Sequence, residues 1–234
     1  DYFIKPVEFA LFKSGVHRAA EFIRLRDYEQ EQTRRYRSEL ARIQEIQSSS
    51  LPDFSSLDDV DVCFSMLPAE DMSGDILDGF LDRDGRLVLF LCDVCGHGLA
   101  SAYVANEVRS LFRLLYVPGG TPALLLGAVN ELICSKKNSG SYFTTAAVCV
   151  IDRERGELCC ASAGHHAILL RSGSSSELKH LKPAGTMLGV FPDMMYESLT
   201  VGLADGDSLL IYSDGIIEAL NPSGTMYGID RLVA

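Results

Sequence analysis

The chain has 234 residues, 47% apolar and 23% charged, a composition suited to one globular domain with an accessory piece. Its charge is uneven: residues 1–50 carry nine Lys/Arg against eight Asp/Glu, a net of +1, whereas residues 51–234 carry twelve against twenty-four, a net of −12. A domain that acidic is repelled by phosphate backbones, which argues against nucleic-acid binding, and no apolar run approaches the ~20 residues that span a bilayer. The amino terminus lacks the basic, apolar, small-residue order of a signal peptide. Seven cysteines, an odd number placed mostly in apolar runs (Cys92, Cys149, Cys159, Cys160), read as free thiols of a cytoplasmic protein.

In chain order, residues 1–4 read as a short strand, and Pro6 suits the first turn of a long helix. Phe9, Phe12, Val16, Ala19 and Ile23 alternate steps of three and four, an a/d seam. The register then lands on polar Arg26, Gln30 and Thr33, and an apolar stripe returns one position out of phase at Tyr36, Leu40 and Ile43. Glu31 and Arg35 form an i,i+4 pair in the polar middle. A helix of this polarity is no domain core. It reads as a solvated linker or, favoured by the seam, as a parallel homodimer through residues 8–47. Ser48-Ser49-Ser50-Leu51-Pro52 ends it.

Beyond residue 51 the pattern turns strand-like. Residues 61–66 alternate, and 86–92 form an apolar run after the Asp84-Gly85 turn. Helix faces follow at 99–115 and 122–137. Strands are predicted at 143–152, 157–163, 167–171, 196–203 and 208–212, with Ser172–Ser176 as a hairpin tip. Strands, two helices and a run of strands give an α+β fold with a mainly antiparallel sheet system.

Several aspartates sit where strands meet glycine turns: Asp75 and Asp78 in Ser-Gly-Asp-Ile-Leu-Asp, Asp93 in Cys-Asp-Val-Cys-Gly-His-Gly, and Asp214 in Tyr-Ser-Asp-Gly-Ile. A carboxylate at the buried end of a strand is costly unless paired or metal-bound. If three converge, each like-charged pair at ~4 Å costs on the order of 4 kcal/mol at an effective dielectric of 20, which protons or cations must offset. Hard oxygen donors select Mg²⁺ or Mn²⁺ over zinc. Two such ions, held by these carboxylates, would lower the pKa of a bound water and so supply a nucleophile for phosphoryl chemistry without a protein nucleophile. Any single Asp-Gly is more often a turn, and spacing alone does not prove that the three meet.

Other signals are weaker. Cys92-x-x-Cys95 has no second cysteine pair at zinc-finger spacing. Met194-Met195, in a Pro-Asp loop, reads as core packing ahead of a partner-facing apolar spot, and no glycine spacing carries the Lys-Ser/Thr of a nucleotide loop. Gly96, His97 and His165 are candidates to surround the carboxylates rather than to ligate; His166 is not read as a ligand either.

Residues 51–234 resemble the bacterial PPM (PP2C-like) serine/threonine phosphatases of the stage-II-sporulation-E/RsbU type. The matching stretches, in order, are Leu67-Pro68, Ser73 to Asp78, Asp93 to Gly98, Phe143 to Ala146, Ala163 to His166, Leu188 to Val190, Gly206-Asp207 and Tyr212 to Ala219. The resemblance implies two stacked antiparallel β-sheets flanked by helices (α-β-β-α). It implies two Mn²⁺ or Mg²⁺ ions, with Asp93 bridging them, the Val94 carbonyl as a further ligand, Asp75 and Asp214 on one ion each, and Asp78 a weaker candidate. It implies hydrolysis of phosphoserine or phosphothreonine on a regulatory protein, usually an anti-sigma-factor antagonist. The competing reading is a non-catalytic adaptor that binds a sigma factor or other regulator; such members have lost the carboxylates that are present here.

Residues 1–7 resemble the last strand and Lys-Pro turn of a response-regulator receiver domain, with Lys5 as the remnant of a phosphorylation site. The expected organisation is therefore a receiver remnant (1–7), a helical coiled-coil linker (8–50) and a phosphatase domain (51–234). Family members continue to a final strand bearing Asp-Asp-(Ile/Met)-Thr. The chain stops before it, so a ligand and a strand are expected to be missing, and residues 1–234 by themselves are expected to be weakly active or inactive.

Overall fold

A computed structural model of the chain describes residues 9–49, 52–55, 57, 59–68, 72–96, 98–136, 142–175 and 177–234. The receiver-like segment with Lys5, and His97, lie outside the described residues. Contacts divide the chain into residues 1–50 and residues 51–234.

The first unit is built on one helix, α1 (Phe9–Ser49), of 41 residues, or about 60 Å at 1.5 Å per residue. Arg35 Nε donates to Glu31 Oε1 at 3.0 Å, the i,i+4 pair expected in the polar middle. Phe9, Phe12, Val16 and Ile23 of the first seam are exposed, as is Tyr36. Leu40 is buried and Ile43 half-buried, so the second apolar stripe is less open than the first.

The second unit runs β1 (Asp75–Leu81), β2 (Leu87–Val94), α2 (Leu99–Leu115), α3 (Pro122–Ser135), β3 (Thr144–Asp152), β4 (Glu157–Ala163), β5 (Ile168–Arg171), β6 (Leu178–Leu181), β7 (Ser198–Gly202), β8 (Ser208–Leu210), α4 (Asp214–Ile217) and α5 (Ile229–Val233). Five strands form one sheet in the order β1-β2-β3-β4-β7 and three form another in the order β6-β5-β8, with every pair antiparallel. This is the α+β, PP2C-like architecture of two stacked antiparallel sheets flanked by helices.

The central strands are apolar on both faces because both are covered. Phe90, Cys92 and Val94 face α2 and α3, where Phe90 stacks on Phe112 with centroids 4.5 Å apart. Leu87, Ala147, Cys149 and Ile151 point the other way and meet Ile168, Leu170 and Leu181 of the second sheet. The entry to α3 is fixed by Thr121, whose Oγ1 accepts from Leu124 N at 3.3 Å, and by Pro122 in the first turn.

Residues 61–66, read as strand-like, are not in a sheet. Their alternation is real, but it records one-sided burial: Val60 and Val62 lean on the inter-sheet core beside Phe54 and Leu57. Two strands escape the sequence pattern. β1 carries two aspartates and a glycine in seven residues, and β6, Leu-Lys-His-Leu, is too short and polar to show a period.

Candidate metal centre

The site forms where the inter-sheet core reaches its end. Side chains alternate along β2, so Leu87, Leu89, Leu91 and Asp93 share the face toward the second sheet. Asp75, the first residue of β1, is the register partner of Asp93, and Asp93 is in turn the partner of Thr145 on β3. Three strands thus present Asp75, Asp93 and Thr145 in one row. Asp75 does not end a strand, as the sequence pattern suggested; it begins one.

The second sheet supplies the third carboxylate. β8 leads through Tyr212 and Ser213 to Asp214, the first residue of α4. Ser213 does not cap that helix with its side chain; its Oγ donates to Asp75 Oδ2 at 2.7 Å, joining the two sheets. Asp75 is anchored also by its backbone N–H, which donates to Ser73 Oγ at 3.0 Å.

The electrostatics reflect this gathering. Burial raises the Asp75 carboxyl above the ordinary carboxylate range; the Ser213 hydrogen bond opposes the rise and the Asp214 charge adds to it. Asp93 is pushed up to about 7, first by burial, then by the charges of Asp75 and Asp214, with Glu218 adding to the effect. None of the principal influences on either carboxyl is a Lys or Arg. Glu218 is thereby a fourth acidic neighbour. The sequence shows it only as part of a motif, with nothing to separate it from any other surface glutamate.

Asp78 does not join the three. Three residues along β1 from Asp75, it lies on the opposite face and is fully buried against α2. It accepts from Arg113 Nε at 2.7 Å and from Gly79 N at 2.8 Å, and Arg109 Nε lies 3.7 Å away. Its role in this structure is to tie α2 to the sheet.

Val94 buries its side chain among the helices, and its N–H donates to Gly74 O at 3.3 Å. The Val94 carbonyl packs over Gly74, where an added Cβ would stand 2.7 Å from its oxygen, so only glycine permits this approach. Gly96 and Gly98, with φ of 91° and 83°, turn the chain from β2 into α2.

His165 closes the row. Its Nε2 lies 3.0 Å from the Tyr212 carbonyl and its Nδ1 2.7 Å from Thr145 Oγ1. A carbonyl only accepts, so Nε2 carries the proton and Nδ1 accepts from the Thr145 hydroxyl. Burial holds the imidazole down at about 4, and the neighbouring His166 adds to the effect. His165 is a neutral clip between the sheets, one residue removed from Asp93. His166 stacks on Tyr212 with centroids 5.5 Å apart.

Asp75, Asp93 and Asp214 are donors of the kind a hard divalent cation takes; burial and neighbouring charge raise the carboxyls of Asp75 and Asp93, with Asp214 among the charges that act on them. Among the described residues no three His, Cys, Asp or Glu side chains stand close enough together to hold a metal ion as they are placed. The donors fit such an ion in chemical type.

The model of the Stage II sporulation protein E (SpoIIE) family matches residues 83–234, well over half of the chain. The chain belongs to the SpoIIE family. The chain is similar to protein IcfG of Synechocystis, 28% identical over 84% of this chain and 35% of IcfG. It is similar also to the phosphoserine phosphatase RsbP of Bacillus subtilis, 26% identical over 83% of this chain and 47% of RsbP. The chain thus spans about half or less of these relatives. The SiaA-PP2C domain of Pseudomonas aeruginosa superposes with a TM-score of 0.63 at 24% identity, over 71% of this chain and 66% of that one, and shares the fold.

Proposed function

We propose that the chain carries the catalytic domain of a metal-dependent phosphatase that removes phosphate from serine or threonine of a regulatory protein. The observation that carries the reading is the meeting of Asp75, Asp93 and Asp214 where the two sheets join, with no Lys or Arg among the principal influences on Asp75 or Asp93. RsbP, to which the chain is similar, is by name a phosphoserine phosphatase, which supports the same substrate class here.

Two Mn²⁺ or Mg²⁺ ions, held by Asp75, Asp93 and Asp214 with the Val94 carbonyl as a further ligand, would supply the acidified water and the charge neutralisation that phosphoryl transfer needs. The chain's own residues prepare that site. Ser213 orients Asp75. His165 occupies the Thr145 hydroxyl proton, so that hydroxyl is not a donor to Asp93, its neighbour in the row. The apolar inter-sheet core behind the row keeps water to the open end.

The proposal includes an anti-sigma-factor antagonist as substrate, an upstream receiver domain linked through residues 8–50, and a homodimer through α1. An adaptor lacking catalysis would have no need of the three carboxylates. The test is turnover of p-nitrophenyl phosphate and of a phosphoserine peptide with Mn²⁺ and after EDTA. Turnover that requires Mn²⁺ is expected of the full-length protein, and much weaker turnover of residues 1–234; full turnover in EDTA sinks the reading.

A further inference from the structure

Beside the acidic row lies a cleft of about 620 Å³, within the range of ligand sites. Its walls come from the turn after β4 (Gly164, His165, His166) and the segment after β6 (Lys182, Pro183, Gly185). The walls are locked together. Gly164 N donates to Gly185 O at 3.0 Å, and Gly185 packs so closely that an added Cβ would stand 2.1 Å from Ser162 O. His165 is at once a wall of the cleft and the partner of Thr145, which faces Asp93 across the β2–β3 ladder. The cleft is therefore one side chain away from the carboxylates.

The charge of the cleft is opposite to that of its surroundings. No carboxylate lines it. Lys182 is exposed, makes no ion pair among the described residues, and is the one Lys or Arg among the residues lining the cleft. In a unit of net charge −12, an unpaired lysine on a rigid cleft is a local attraction for an anion.

The geometry points to the following inference, which rests on the phosphatase reading: the cleft takes the polypeptide that flanks the phosphorylated residue, and Lys182 pairs with an acidic side chain of that segment. Specificity then has two parts, phosphate at the aspartates and a neighbouring carboxylate at Lys182.

The test uses two fluorescein-labelled peptides in which a non-hydrolysable phosphonate replaces phosphoserine, one flanked by glutamates and one by lysines. Binding is read by anisotropy in Mn²⁺ at low and high salt, for the wild type, Lys182→Gln and Lys182→Glu. The wild type should prefer the glutamate peptide. Lys182→Glu should lose roughly tenfold for it, about the worth of one charge-assisted hydrogen bond, and should gain for the lysine peptide. Lys182→Gln should fall between. Turnover of p-nitrophenyl phosphate, which has no flanking residues, should be the same in all three. An undiminished preference for the glutamate peptide in Lys182→Glu, or no binding of either peptide to the wild type, overturns the inference. If the full-length protein shows no Mn²⁺-dependent turnover, the phosphatase reading fails, while the anisotropy data still decide the cleft.

Discussion

Asp75 lies directly opposite Asp93 in the β1–β2 ladder, with Asp214 reaching the same pair from the second sheet. Without metal this arrangement works against folding. Asp93 titrates at about 7 in the folded chain against its ordinary 3.8, so between those values the folded state holds a proton that the unfolded state has released, and stability falls as pH rises through that window. Asp93→Asn should therefore stabilise the chelator-treated protein at pH 8. The pair is part-exposed, so the gain is about 1 kcal/mol, or roughly 2–4 °C in midpoint. The gain should vanish near pH 4. Mn²⁺ should raise the midpoint of the wild type and not that of the variant. Equal stabilisation of both by Mn²⁺ would remove Asp93 from the site.

Asp78 belongs to the sheet–helix contact and not to the metal site, and the two roles are separable. Breaking one side of a buried pair costs about 3–5 kcal/mol when the remaining charge is stranded. Here Arg113 is half-exposed and Arg109 stands 3.7 Å from the carboxylate, so Arg113→Met should cost less, about 2 kcal/mol. Calorimetric Mn²⁺ affinity should be unchanged in Asp78→Asn. A large loss of affinity in that variant would make Asp78 a ligand after all.

Much of this fold could be read in advance because its long elements carry their period openly. Leu99, Ala102, Ala105, Val108 and Phe112 mark the buried side of α2 from end to end, with Leu99 alone at the exposed tip. Asp75, Asp93 and Asp214 were noticeable because each interrupts apolar sequence beside a glycine. What the sequence could not give was register. Asp75 and Asp78 look equivalent until β1 is paired, when alternation sends them to opposite faces. Lys182 and Glu218 are ordinary surface residues until a cleft and a carboxylate cluster are placed beside them.

His165 should stay neutral throughout the working range. Its folded value of about 4 lies below the ordinary 6.5, so as pH falls through that window the unfolded chain takes a proton that the folded chain refuses. Its contribution to stability is present above 6.5 and is lost toward 4, opposite in sign to that of Asp93. Nitrogen NMR of the imidazole should show the Nε2–H tautomer between pH 5 and 8. Thr145→Val leaves Nδ1 without its donor and should cost about 1–2 kcal/mol. An imidazolium signal at pH 6 would contradict the clip.

The exposed seam of α1 makes the last expectation. Phe9, Phe12, Val16 and Ile23 are 78%, 46%, 51% and 48% exposed. Burying four such side chains per chain, at ~1.5 kcal/mol or more each, is comparable with the entropic cost of association. The stripe at Tyr36, Leu40 and Ile43 continues the pairing face beyond the polar layer. The polar layer at Arg26, Gln30 and Thr33 separates the two stripes and leaves the middle of the helix weakly held. A weak middle beside an apolar seam allows two registers of similar energy, the kind of element an upstream domain can bias. Light scattering should give about twice the 25.6 kDa chain mass for the wild type. Val16→Asp with Ile23→Asp, or removal of residues 1–47, should return it to one chain, with Mn²⁺-dependent turnover altered by the removal. A single-chain mass for the wild type at the concentrations used for turnover would dismiss the dimer and the signalling route that depends on it.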